Sequence, residues 1–194
     1  MVLSRVQQNI RSVAEPILET RRLLLRPTRA EDFEPWAAMM ADEEVTRHIG
    51  GVQPRPIAWR GFVAVAGAWM IQGFSMFSVI EKSTGLWVGR VGPWVPEGWP
   101  GNEVGWAIMR SHWGRGYAVE AATAAVDWAF ETLGWDDVLH TINPQNFASK
   151  AVARRLGGHL SGLAPLPEPM AQPMAEFWRQ SRERWYARPR ISAC

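Results

Sequence analysis

Residues 103–118 combine an alternating apolar run with a glycine loop that opens directly into a predicted helix. Gly114 and Gly116 can adopt backbone angles that are closed to residues with side chains, and they let an anion approach the main chain. The first N–H groups of the following helix have no partner within the helix and point outward. The pattern therefore predicts a site for a phosphate-bearing ligand, whereas a Gly-x-Gly without such surroundings is typical of a turn.

The composition indicates one soluble, folded domain. The 194 residues are enough for one substantial core and too few for two. Hydrophobic residues make up 47% and charged residues 21%, which excludes a mainly disordered chain. The net charge of +2 is too small to indicate nucleic-acid binding. Because Cys194 is the only cysteine, we expect no disulfide framework, no cysteine-based metal site and a reducing, cytoplasmic compartment.

We divide the chain into an N-terminal arm, residues 1–19, and a single domain, residues 20–194. The arm lacks the unbroken apolar stretch of a signal peptide. The most apolar segment, residues 57–71, includes Arg60 and is shorter than the roughly 20 residues that a bilayer needs. It predicts a buried helix and no membrane association.

Hydrophobic periodicity predicts a sheet with flanking helices. Thr28 and Glu31 have the spacing of a capping box, and residues 42–55 are predicted to form a loop. Because a helix intervenes, we expect strand 138–142 to run parallel to strand 103–109. The predicted strands cover residues 23–25, 74–81, 86–91, 103–109, 138–142 and 176–179, and the predicted helices cover residues 31–41, 56–72, 118–133, 147–156 and 182–188.

Twelve tryptophans are an excess for a chain of this length. Filling of the core by bulky side chains is one explanation, and an aromatic substrate cleft or dimer face is another. Trp94, Trp99 and Trp106 lie closest to the suspected phosphate site.

Three motifs occur in an order that resembles the GNAT superfamily of acyl-CoA-dependent N-acetyltransferases. Residues 113–118 look like its acetyl-CoA pyrophosphate loop. Residues 143–157, with Asn-Pro-x-Asn at their start and Arg-Leu-Gly at their end, resemble its second signature. Residues 20–27 are similar to the opening of the ribosomal-protein alanine N-acetyltransferase branch. The resemblance covers about residues 20–158, and a different α/β fold with another phosphate ligand is the alternative.

The resemblance implies a mixed α/β fold, a mostly antiparallel central sheet with one parallel, splayed strand pair, and acetyl-CoA as cosubstrate without a metal. The main chain of Trp106, Ala107 and Ile108 is implied to hold the pantetheine arm and acetyl group. Main-chain N–H groups from Arg115 to Ala118 are implied to hold the pyrophosphate. The other implied coenzyme-binding residues are Trp113, Gly114, Gly116, Tyr117, Asn143 and Asn146.

The resemblance also implies which residues carry the chemistry. Ala153 stands where many relatives have a tyrosine that protonates the departing thiolate, and Ser149 is the implied substitute. The alternative for Ser149 is a hydroxyl bonded to its own helix backbone. Glu103 is implied to be the catalytic base, with a solvent-facing glutamate as the alternative. Glu81 and His48 are the reserve candidates.

Several implied contacts have structural alternatives. Asn146 can cap a helix, contact pantetheine or do both, and Asn143 can start a turn. The Arg115 guanidinium can bind phosphate or be solvated. Trp113 stands where Gln or Arg commonly begins the loop, and residues 157–158 are Gly-Gly where the family has Gly-Phe.

The predicted reaction is direct transfer of acetyl from acetyl-CoA to a primary amine of a protein, a peptide or a small molecule. The alternative is a coenzyme-A-binding sensor or scaffold that has lost turnover. An α-amine ionises about 2.6 pKa units below a lysine amine, so weak acid–base groups favour α-amines. A polycation would need an acidic cleft, and residues 42–44 are the only short acidic cluster. A homodimer through residues 57–71 is as compatible with the sequence as burial within one subunit.

Overall fold

The structure is a computed structural model that describes residues 15–168 and 174–188. One mixed sheet of eight strands carries helices on both faces, which confirms the predicted fold class. The strands are β1 (Leu18–Glu19), β2 (Leu23–Pro27), β3 (Phe77–Glu81), β4 (Trp87–Trp94), β5 (Glu103–Ile108), β6 (Asp137–Ile142), β7 (His159–Ala164) and β8 (Ala175–Ser181). The helices are α1 (Phe33–Ala41), α2 (Glu43–Thr46), α3 (Arg55–Ile71), α4 (Tyr117–Glu131), α5 (Phe147–Arg155) and α6 (Arg182–Ala187).

The strand order is β1-β2-β3-β4-β5-β6-β8-β7, and one neighbouring pair of the described sheet is parallel. That pair is β5 and β6, as predicted, and it is in register at Glu103 and Leu139 alone. The other neighbouring pairs are antiparallel. Beyond Glu103 the two parallel strands part, so a gap opens towards the C-terminal end of β5.

Two apolar cores lie on opposite faces of the sheet. Because successive side chains of a strand alternate between faces, Val104 and Ile108 of β5 pack with α4, whereas Ala107 packs with α1 and α3. The buried stripe of α4 includes four alanines at helical spacing, which let the helix approach the sheet closely. Its alanines are Ala121, Ala122, Ala125 and Ala129.

Helix α3 is only partly buried, so the prediction of a buried helix is wrong. Its fully buried residues are Ala58, Phe62 and Val65, because only one stripe of the helix faces the sheet. Large apolar side chains occupy the solvent side as well, namely Ile57, Trp59, Val63, Met70 and Ile71. None of the helices described here is long and apolar enough to cross a membrane.

The predicted capping box of Thr28 and Glu31 is wrong. A 3-10 turn precedes α1, and the carboxylate of Asp32 accepts a hydrogen bond from the Arg29 N–H at 2.9 Å. The same carboxylate forms a buried ion pair with Arg26 of β2 at 2.8 Å. Because of this second partner, Asp32 rather than Glu31 supplies the carboxylate that caps the turn before α1.

Two other segments differ from the predictions. Helix α2 interrupts the loop predicted for residues 42–55. Strand β7 was not predicted, because most of its side chains are exposed and the apolar alternation of a half-buried strand is missing.

The sheet begins inside the segment assigned to the N-terminal arm, where Leu18 of β1 is in register with Leu25 of β2. The remainder of that arm, residues 1–14, and Cys194 lie outside the described residues.

Candidate active site

The gap between β5 and β6 leads into two adjoining cavities. The glycine-loop cavity lies between the loop Gly114–Gly116 and α5 and has a volume of about 580 Å³. The Glu103 cavity lies beside β4, the start of β5 and β6 and has a volume of about 360 Å³. Trp106, Asn146 and Ser149 line both cavities. Two ligands bound in the two cavities would therefore meet at this shared wall.

The glycine loop has the geometry of an anion cradle. Gly114 and Gly116 have left-handed backbones, with φ of 75° and 78°. The first hydrogen bond of α4 runs from the Glu120 N–H to the Gly116 carbonyl at 3.0 Å. The N–H groups of residues 117–119 precede it and donate to no described residue. The donors at this helix start fit a pyrophosphate.

Main-chain groups of β5 alternate between β4 and the gap. The Met109 N–H donates to the Val88 carbonyl at 2.9 Å, so odd-numbered residues in this part of the chain face β4. The carbonyl of even-numbered Val104 faces the other way and lies 2.6 Å from Nδ1 of His140 on β6.

The same alternation distinguishes the three residues implied to hold pantetheine. The main chain of Trp106 and Ile108 faces the gap, and the Ile108 carbonyl already accepts a hydrogen bond from the Trp113 indole at 2.7 Å. The main chain of Ala107 faces β4, where its carbonyl oxygen lies against Gly89. Ala107 therefore lines the glycine-loop cavity with its side chain, while its main-chain hydrogen-bonding groups face β4.

The reserve base Glu81 supports the glycine loop from behind and lines neither cavity. Its carboxylate accepts hydrogen bonds from the hydroxyls of Tyr117 and Thr84 and lies 3.4 Å from the Arg115 guanidinium. Arg115 is thus turned towards this carboxylate. The other reserve, His48, lines both cavities, and burial lowers its pKa.

Glu103 is a buried carboxylate and not a solvent-facing one. Its residue surface is 7% exposed, and each carboxylate oxygen lies 2.9 Å from the Thr141 hydroxyl. The Trp99 indole also donates to it. Burial raises the pKa of Glu103 to about 7, although the hydrogen bonds from Thr141 and Trp99 oppose this rise. A carboxylate with this pKa can accept a proton near neutral pH.

The hydroxyl of Ser149 lies on the wall between the cavities. Its oxygen accepts a hydrogen bond from the Trp106 indole at 3.2 Å, which leaves the hydroxyl proton free to be donated. Asn146 caps α5 by accepting a hydrogen bond from the Ser149 N–H at 3.0 Å. Asn143 accepts one from the Gln145 N–H at 2.8 Å and starts the preceding turn. Both asparagines also line the Glu103 cavity.

Ala153 does not reach either cavity. It is fully buried and packs with Ile142 and Trp178. A proton donor for the leaving group must therefore come from another residue, and Ser149 is the hydroxyl that lines both cavities.

Three charged or titratable residues of the Glu103 cavity were missed in the sequence, namely Arg47, Arg90 and His140. Arg90 interrupts an apolar strand, and His140 lies within another, so each is a polar residue where the pattern predicts an apolar one. A polar residue within an apolar strand pattern is the sequence signal that could have identified Arg90 and His140. The predicted nearby tryptophans, Trp94, Trp99 and Trp106, all line this cavity. Within the described ranges, no group of three or more His, Cys, Asp or Glu side chains could hold a metal ion.

Comparison with known proteins decides the family. The model of the acetyltransferase (GNAT) domain family matches residues 22–159, more than half of the chain. The chain belongs to the GNAT acetyltransferases. The match includes β5, the glycine loop and α5, and with them every residue that lines the glycine-loop cavity and all of the Glu103 cavity except Leu166, Met174 and Ala175. The protein is therefore an acetyltransferase that uses acetyl-CoA.

Relatives and solved structures agree with this assignment. An N-acetyltransferase of Bacillus licheniformis is 28% identical over 75% of this chain and 84% of its own length. YkkB of Bacillus subtilis is 37% identical over 46% of this chain, and the match spans 53% of YkkB. The crystal structure of an acetyltransferase from Agrobacterium tumefaciens has a TM-score of 0.77 at 36% identity, covering 86% of this chain and 95% of that one.

The fold is also that of RimL, a ribosomal alpha-N-protein acetyltransferase. Its structure in complex with coenzyme A has a TM-score of 0.71 at 15% identity and covers 86% of this GNAT chain and 98% of RimL. At that identity the likeness concerns the fold alone.

Proposed function

We propose that this GNAT protein transfers acetyl from acetyl-CoA directly to a primary amine bound in the Glu103 cavity. One observation carries the proposal: a buried carboxylate with a pKa near 7 lines a cavity that joins the glycine-loop cavity at Trp106 and Ser149. The proposed base lines the acceptor cavity, and the proposed proton donor lies on the shared wall where the two ligands would meet.

The glycine-loop cavity fits the coenzyme. The free N–H groups of residues 117–119 would bind the pyrophosphate, and the gap-facing main chain of Trp106 and Ile108 would bind pantetheine by strand-like hydrogen bonds. Bound acetyl-CoA supplies an acetyl group that is activated as a thioester. Gly114 leaves open space beside the loop, since a Cβ there would meet no atom within 4 Å.

Glu103 and Ser149 move the protons of the transfer. As the amine nitrogen bonds to the acetyl carbon, the Glu103 carboxylate accepts the proton that the nitrogen loses, directly or through a water molecule. The carbon–sulfur bond breaks, and the thiolate takes the Ser149 hydroxyl proton while Ser149 regains a proton from water. The Trp106 indole holds the Ser149 oxygen in place for this donation. Glu103 then releases the proton it accepted to the solvent.

Replacement of Ser149 with alanine is expected to lower kcat about 10-fold to 10²-fold, because the leaving thiolate loses its proton donor. The fold should be retained, since Asn146 caps the helix through the main chain of residue 149. Steady-state release of the coenzyme A thiol measures the effect, with Ser83→Ala in an exposed turn as the matched control. An unchanged kcat in the Ser149 variant would remove this residue from the mechanism.

The function itself is tested by measuring thiol release from acetyl-CoA with and without a panel of amines. The panel contains amino acids, their amides, short peptides and spermidine. We expect release that depends on at least one amine, with one acetylated amine formed for each thiol. Acetyl-CoA binding without turnover of any amine would contradict the proposal and support a sensor or scaffold role.

A further inference from the structure

We propose that the acceptor is an amino acid with a free carboxylate, and that Arg90 binds this carboxylate in the Glu103 cavity. The inference rests on the proposed amine acetylation and narrows its substrate class. The geometry points to it because the cavity offers a cation, a carboxylate and apolar walls side by side.

Arg90 is a cation that forms no salt bridge in the described chain, although the Glu103 carboxylate of the same cavity interacts with it electrostatically. It lines the Glu103 cavity from β4, and no acidic side chain forms a salt bridge with it. Its Nη1 donates to the Met76 sulfur, a weak acceptor, at 2.8 Å, and its Nε has no partner among the described residues. The Trp36 ring lies 4.7 Å from the guanidinium carbon. A guanidinium that lines a cavity and forms no salt bridge can bind the carboxylate of a ligand through charge-assisted hydrogen bonds.

The charges around the cavity exclude the polycation alternative. Glu103 is the one acidic side chain among the described residues that line it. The acidic cluster at residues 42–44 does not line the Glu103 cavity, and two of its carboxylates are paired: Asp42 caps α2 and pairs with Arg110, and Glu44 pairs with Arg47, itself a residue of the cavity wall. A polyamine with several positive charges would meet Arg90 without a compensating set of carboxylates. An amino acid presents one charge of each sign.

The amine end has two acceptors in the same cavity. The Glu103 carboxylate is the first. His140 is the second: its Nδ1 lies 2.6 Å from the Val104 carbonyl, so this nitrogen carries the proton and Nε2 is the acceptor. Nε2 has no partner among the described residues. Burial lowers the pKa of His140 to about 4, which keeps the ring neutral at neutral pH.

The size and walls of the cavity favour a free amino acid with an apolar side chain. Trp94, Trp99 and Met76 contribute aromatic and thioether surface. The volume of about 360 Å³ is at the small end of ligand pockets, which span roughly 300–1,000 Å³. These features favour a free amino acid over a protein segment.

The test compares amino acids with their amides, which keep the α-amine and lose the carboxylate. L-phenylalanine, L-leucine and L-methionine are each assayed beside the corresponding amide. We expect kcat/KM for the acids to exceed that for the amides by about 10-fold or more, the effect of a hydrogen-bonded charge pair. Arg90→Gln should abolish this ratio, Arg90→Lys should restore part of it, and Arg55→Gln at an exposed pair with Glu34 should leave it unchanged.

The ratio of kcat/KM for an acid to that for its amide distinguishes loss of carboxylate binding from general damage to the protein. General damage lowers both kcat/KM values together and leaves their ratio unchanged. If the wild-type protein acetylates the amides, short peptides or spermidine as well as the acids or better, the substrate inference is overturned while amine acetylation stands. If no amine is acetylated although acetyl-CoA binds, both the proposed function and the substrate inference are overturned. An acid preference that survives Arg90→Gln would overturn the role of Arg90.

Discussion

Replacement of Glu103 with glutamine is expected to lower kcat by about 10²-fold or more, while acetyl-CoA affinity changes little. Glutamine keeps the size of the side chain and can still bond to Thr141, but it cannot accept the proton of the amine. Glu103 lines only the cavity on the acceptor side, so coenzyme binding should be retained. Steady-state kinetics and calorimetric titration with acetyl-CoA measure the two quantities.

The pH profile gives the same prediction a second readout. Because burial raises the pKa of Glu103 to about 7, the carboxylate becomes a competent base as the pH rises through 7. At saturating substrates, kcat of the wild-type protein should rise across this range and then level off, and the Gln variant should lack this rise. Glu97→Gln, in an exposed loop, serves as the control. A Gln variant with wild-type kcat and an unchanged profile would eliminate Glu103 as the base.

Replacement of Gly116 with valine is expected to weaken acetyl-CoA binding by about 10²-fold or more, because β-branched residues strongly disfavour a positive φ. Gly116 has φ of 78° and precedes α4, so a shift of its backbone redirects the free N–H groups at the helix start. A Cβ at this position would meet the Arg22 guanidinium at 3.5 Å, an ordinary contact that the fold tolerates. Calorimetry with acetyl-CoA measures the loss.

Gly73→Val is the matched control for this substitution. Gly73 has φ of 79°, a Cβ there would meet nothing within 4 Å, and it lines neither cavity. Both variants carry the same kind of backbone strain, so they should lose similar thermal stability. Only the Gly116 variant should lose coenzyme affinity. Equal affinity in the two variants would show that the glycine loop does not bind the coenzyme.

The fold was predictable where local patterns and packing agree. The apolar alternation of β5, the alanine face of α4 and the Asn146 cap each appear in the sequence and in the structure. Helix α3 was mispredicted because apolar residues on all sides of a helix do not reveal which side meets the sheet. The role of Asp32 depends on an ion pair with Arg26, which no local pattern contains.

The candidate site was predictable only in part. The glycine loop has a local signature, and the family resemblance drew attention to Glu103 and Ser149. The burial that raises the pKa of Glu103, and its contacts with Trp99 and Thr141, arise from a gap between strands that are distant in sequence. Arg90 forms no salt bridge within the described residues, and Glu103 is the one carboxylate in its cavity. That arrangement is a property of packing that sequence spacing cannot express.

The central claim is that the glycine-loop cavity binds acetyl-CoA next to the Glu103 cavity. Calorimetric titration of the purified protein with acetyl-CoA tests it most directly, with NAD as a control ligand that also carries a pyrophosphate. We predict saturable 1:1 binding of acetyl-CoA, no comparable binding of NAD, and loss of acetyl-CoA binding in Gly116→Val but not in Gly73→Val. Absence of acetyl-CoA binding, or equal binding of NAD, would contradict the assignment of this cavity.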